Sequence, residues 1–87
     1  MIPRISSVKP LENYKLLVAF DGGKTVVYDV EDDISTVSVF HQLKTDHGLF
    51  CKVQLDSSRT CVYWNEQIDL PSDTIWEYGV ETDIASE

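Results

Sequence analysis

Tyr14-Lys-Leu-Leu-Val-Ala-Phe20, Asp21-Gly-Gly-Lys24 and Thr25-Val-Val-Tyr-Asp-Val30 make up the stretch that decides the fold. Two β-branched and aromatic runs flank a glycine pair at hairpin spacing, which predicts two antiparallel strands joined by a tight loop. Alternation puts Tyr14, Leu16, Val18 and Phe20 on one face of the first strand. The glycine pair allows a loop of two or three residues, so the facing of the second strand stays open. Upstream, Ile5 to Val8 lies between Pro3 and Pro10, which restrict sheet pairing and make this run an edge strand.

Downstream, Val37, Phe40 and Leu43 recur at helical spacing between Ile34 and Thr45. Ser35 or Thr36 is placed to cap that helix and Gly48 lies beyond its end. Phe50-Cys-Lys-Val-Gln-Leu55 and Thr60-Cys-Val-Tyr-Trp64 then flank Asp56-Ser-Ser-Arg59, a second hairpin by composition. With Leu55 opposite Thr60, the residues Cys51, Val53, Leu55, Val62 and Trp64 share the apolar face, and Lys52, Gln54, Arg59 and Tyr63 share the other. Cys51 is then expected to be buried, away from Cys61 and unable to bond to it. Trp64 is expected in the core. Asp69 to Gly79, with proline and acids early and Ile75 and Trp76 following, predicts a closing helix. The expectation is an α+β domain in the order strands, helix, strands, helix, with short helices packed on one sheet face. A single domain spans residues 3–79, and an acidic, flexible tail spans 80–87.

The 87 residues support one hydrophobic core, and 43% apolar with 25% charged residues lies close to the average of globular domains. No run approaches the ~20 apolar residues of a membrane-spanning helix, and the start lacks the apolar stretch of a signal peptide. A cytoplasmic location and reduced thiols are therefore expected. The net charge of −8 repels phosphate backbones and anionic headgroups, which argues against membrane and direct nucleic-acid binding. That charge is uneven. The chain up to Tyr28 is mildly basic, whereas from Glu66 onward seven acids face no Lys or Arg.

The pattern resembles a small bacterial family catalogued as domain of unknown function 2442. The shared pieces are Pro10-Leu with Tyr14, Leu16, Val18 and Phe20, the Asp21-Gly22 turn, Tyr28-Asp29, Phe40-x-x-Leu43, Asp46 and Phe50-x-x-Val53. Trp64, Asp69-Leu70 and Ile75-Trp76 complete the series. Members often carry a proline and a glycine between the tryptophan and the aspartate, where this chain has Asn65-Glu66-Gln67-Ile68. The resemblance implies a compact α+β domain, often encoded beside another small protein in an arrangement like a toxin-antitoxin pair. It implies no activity.

Of the residues that carry chemistry, Glu31-Asp-Asp33 lacks the ligand spacing of a calcium loop and reads as solvated acids near a helix start. His41, His47, Cys51 and Cys61 have no paired zinc spacing. Cys51 with His47, four residues apart, is the one nucleophile and base pair at short range, and no oxyanion turn accompanies it. Gly22-Gly23 precedes a strand, so it is no phosphate cradle. No cofactor, no metal and no enzymatic activity are expected. The expected function is binding of another small protein, as an antitoxin-like or regulatory partner, with a homodimer compatible with the sequence. A nucleic-acid-associated regulator or an enzyme built on Cys51 and His47 are the alternatives. Glu66, Asp69, Asp73, Trp76, Glu77 and Tyr78 combine acid with aromatics and form the candidate partner surface.

Overall fold

A computed structural model describes residues 2–46 and 48–82 of the chain. The deciding hairpin forms as β2, Lys15–Phe20, and β3, Thr25–Asp29. Its loop has three residues: the Phe20 N–H donates to the Lys24 carbonyl at 2.7 Å, and Gly22 and Gly23 adopt φ of +93° and +102°. Side chains with a Cβ rarely enter that region, which explains the glycine pair. The loop length fixes the facing of β3, so that Val26 and Tyr28 join Leu16, Val18 and Phe20 in the core.

The edge strand β1, Ile5–Leu11, runs antiparallel to β2. On the far side of β3 lies β7, Val80–Glu81, giving the sheet order β1-β2-β3-β7. The tail expected from residue 80 therefore begins as a strand, with Val80 paired to Val27 and Glu81 to Val26. Residues 83–87 of that tail lie outside the described residues. Because β2 is flanked on both sides, Leu17 and Ala19 are buried as well as the predicted Leu16, Val18 and Phe20.

The helix expected between Ile34 and Thr45 is broken into α1, Glu31–Thr36, a 3-10 turn at Ser38–His41, and α2, Gln42–Thr45. Ser35 and Thr36 do not cap it. Their hydroxyls hydrogen-bond back to the Glu31 and Asp32 carbonyls, a habit that weakens helices, and Val37 is extended with φ −114° and ψ 115°. Ile34, Phe40 and Leu43 reach the core while Val37 is exposed. Glu31, Asp32 and Asp33 occupy the first turn of α1, where its dipole favours them.

A second sheet, β4 (Gln54–Leu55), β5 (Cys61–Tyr63) and β6 (Asp69–Pro71), follows in the order β4-β5-β6. Leu55 pairs with Val62 instead of Thr60. This is a shift of two, so the faces of Leu55 and Val62 are as the alternation predicts. Cys51 is a correction, because it is exposed and Phe50 is buried. Phe50–Lys52 is a 3-10 turn, where a strand's period of two does not apply. Both thiols are free. The closing helix is α3, Ser72–Tyr78, and the residues expected as its start, Asp69–Pro71, are strand β6. Gly79 ends α3 for reasons of space: a Cβ there would lie 2.6 Å from the Ile75 carbonyl and 2.8 Å from Val26 Cγ2. Two antiparallel sheets and three short helices make an α+β fold.

The core is anchored on Trp64, which is 4% exposed. Its indole stacks on Phe50 at 5.9 Å, meets Phe40 edge-on at 6.2 Å, and donates Nε1–H to the Phe50 carbonyl at 3.0 Å. Asn65 shapes the loop Asn65-Glu66-Gln67-Ile68. Its Oδ1 accepts the Gln67 and Ile68 amides at 2.9 and 3.0 Å and turns the chain so that Ile68 is fully buried.

Two measurements check this packing. Trp64→Ala should cost about 3–5 kcal/mol, most of the stability of a small domain, and thermal melting should show a largely unfolded chain at 37 °C. The second concerns Tyr28, whose hydroxyl donates to Asp33 Oδ2 at 2.6 Å. Burial, reinforced by Asp33, pushes the Tyr28 hydroxyl well above its ordinary value near 10. The fold thus favours the neutral phenol, and that stabilisation is complete below pH about 10 and lost as pH rises above it. Tyr28→Phe should be less stable by about 1 kcal/mol at pH 8 in urea, with the gap to the parent protein narrowing by pH 11. An unchanged gap would contradict this.

Candidate functional site

The two sheets are joined by a short strap, residues 3–5, whose backbone polar groups are nearly all taken by distant parts of the chain. Ser72 is the one buried polar residue among the described residues, and its Oγ donates to the Pro3 carbonyl at 2.6 Å. The Ser72 amide in turn donates to the Thr60 carbonyl at 2.8 Å. The Arg4 carbonyl accepts the Asp21 amide at 2.9 Å, and the Ile5 amide donates to the Arg59 carbonyl at 2.7 Å. Arg59, with φ of +61°, turns its guanidinium onto Asp21 Oδ1 at 2.8 Å. A buried hydroxyl deprived of its partner costs about 1–3 kcal/mol, so Ser72 holds the strap firmly.

Between this strap and α3 lies a groove of about 890 Å³. Ile2, Pro3 and Arg4 line it together with Asp73, Trp76 and Glu77 of α3 and with Asp21 and Thr60. Asp73, Trp76 and Glu77 share a helix face by their spacing of three and four. Trp76 is 39% exposed, packs edge-to-face on Phe20 at 4.9 Å, and carries the Lys24 ammonium 3.8 Å from its ring centroid. Among the described residues, neither Asp73 nor Glu77 has an ion-pair partner within 4.0 Å.

A second groove, of about 460 Å³, opens on the smaller sheet. Asp56, Glu66 and Asp69 line it together with Tyr63 and Cys61, and no Lys or Arg does. The Ser58 hydroxyl and amide hold the Asp56 carboxyl below its ordinary range. Burial, then the charge of Asp69, pushes the Cys61 thiol up, which disfavours the nucleophilic thiolate. No cluster of His, Cys, Asp and Glu among the described residues could hold a metal ion.

The six residues expected as one partner surface are thus divided. Asp73, Trp76 and Glu77 line the groove beneath α3, Glu66 and Asp69 line the other, and Tyr78, 70% exposed, lines neither. Cys51 is exposed on its 3-10 turn, and His47 lies outside the described residues. The fold brings one base, Arg4, to the groove that Asp73 and Glu77 line, but neither acid forms an ion pair among the described residues. Sequence reasoning missed Ile2, Pro3, Arg4, Asp21 and Thr60 as groove residues. The opposite charge of the two chain ends was the one available signal that they meet.

No helix among the described residues is long and apolar enough to cross a membrane. Neither a curated protein nor a solved structure matches the chain. A family model described as Protein of unknown function (DUF2442) matches residues 5–81, nearly the whole length, and the chain belongs to that family.

Proposed function

We propose that this domain is a protein-binding module of the bacterial cytoplasm that holds a second small protein, in the manner of an antitoxin or regulatory partner, in the groove beneath α3. One observation carries the reading: the Trp76 indole is left 39% exposed on a groove wall. Large aromatics in concave surroundings are the residues from which interface hot spots are built, since they bury much area at little cost in side-chain freedom. The firmly held strap supports the same reading, because a wall that does not have to be ordered on binding spares the complex that cost. The absence of paired catalytic groups along the groove favours binding over chemistry.

The test is co-purification of the tagged chain from its own cells, followed by identification of what it retains. Trp76→Ala should lower retention of the specific partner at least tenfold with circular dichroism unchanged, as expected of a hot-spot residue. Tyr78→Ala, outside the groove, should retain the partner fully. Equal retention by the Trp76 and parent proteins would remove the groove as the binding site.

A further inference from the structure

We propose that the groove beneath α3 takes a basic segment of the partner, with a lysine or arginine side chain laid against the Trp76 indole near Asp73 and Glu77, and that Lys24, whose ammonium lies over the same ring, competes with it. The inference rests on the protein-binding reading above and names the chemistry of the partner.

Three features of the site converge on a cation. The Trp76 ring already holds one, the Lys24 ammonium at 3.8 Å from its centroid, so its accessible face is electrostatically suited to another. The two carboxylates on the same helix face, Asp73 and Glu77, have no ion-pair partner among the described residues. Asp73 Oδ1 accepts only the neighbouring Thr74 amide, at 2.8 Å. The groove lining also carries these two unpaired acids against one base, the exposed Arg4, while Asp21 is paired with Arg59, so its unpaired charge is net negative. The net charge of −8 adds a long-range field that speeds the approach of a basic partner.

Lys24 is free to leave. Its backbone is fixed by the Phe20 amide at 2.7 Å, so the side chain can swing out without disturbing the strand ladder, and its ammonium makes no ion pair among the described residues. An internal cation on the Trp76 ring competes with an external one. Removing it should therefore tighten binding of a basic segment, which a structural role for Lys24 would not do.

The experiment uses the whole chain and two capped octapeptides, one alternating arginine with leucine and one with glutamate in place of arginine. Binding is followed at low salt by the nuclear magnetic resonance signals of the Trp76 indole N–H and the Thr60 and Asp73 amides. The arginine peptide should shift these signals and the glutamate peptide should not. Lys24→Ala should lower the Kd for the arginine peptide by about two- to fivefold, the worth of an exposed cation–π contact. Asp73→Asn with Glu77→Gln should raise it and flatten its salt dependence. An arginine peptide that leaves the Trp76 signal unmoved, or a Kd that rises or stays level in Lys24→Ala, overturns the inference. Binding of the glutamate peptide at the same signals also overturns it while leaving the groove as a protein-binding site. Loss of the natural partner from Trp76→Ala is read separately and bears on that reading alone.

Discussion

The hydrogen bond from the buried Ser72 hydroxyl to the Pro3 carbonyl links residues 69 positions apart, and the rest of the architecture depends on what it joins. The larger sheet enters through the strap at residues 3–5, and the smaller sheet meets it through Thr60, Arg59 and the start of α3. Few alternatives exist for these backbone groups, because a polar group buried without a partner costs more than the bond itself contributes. The strap is therefore held where it lies, and with it the position of α3 over the larger sheet. Gly79 completes this arrangement from the other end of α3, allowing the chain to pass against Val26 and return as β7.

The groove follows from that clamp. It is the space left between the strap and the helix that Ser72 begins, and its chemistry is the chemistry of the two chain ends brought together. Charges that the linear chain keeps apart meet in it or beside it: Arg59 pairs with Asp21, and Arg4 lines the same groove as Asp73 and Glu77. The mildly basic start of the chain and its acidic end thereby contribute to one surface. A second group of acids, Asp56, Glu66 and Asp69, lies elsewhere, on the smaller sheet.

What the sequence discloses follows the range of the interactions. The β2–β3 hairpin is legible because its strand preference and its glycine loop are both local, and the edge position of β1 because Pro3 and Pro10 act on their neighbours. The faces of Leu55 and Val62 survive a register shift of two for the same reason that a shift of one would have reversed them. Cys51 is misplaced because periodicity is read across a 3-10 turn that nothing local announces, and α3 begins late because Asp69–Pro71 pairs with β5 instead of coiling. The candidate site is legible only by half. Trp76 and its flanking acids stand out, but the exposure of Trp76 and the remaining groove residues are set by contacts of long range that no spacing rule reports.

Native-state hydrogen exchange at the Ile5, Asp21 and Ser72 amides tests the central claim most directly, because the Ile5 amide donates from the strap to Arg59, the Asp21 amide donates to the strap at Arg4, and the Ser72 amide donates to Thr60 beside the hydroxyl that holds Pro3. If the strap is the clamp that fixes the groove, all three should exchange only through global unfolding, with opening free energies equal to that of Val18 in the central strand β2. Exchange of the three amides at the rate of an exposed loop, while Val18 remains protected, would contradict the account by showing that the strap opens independently and the groove is not preformed.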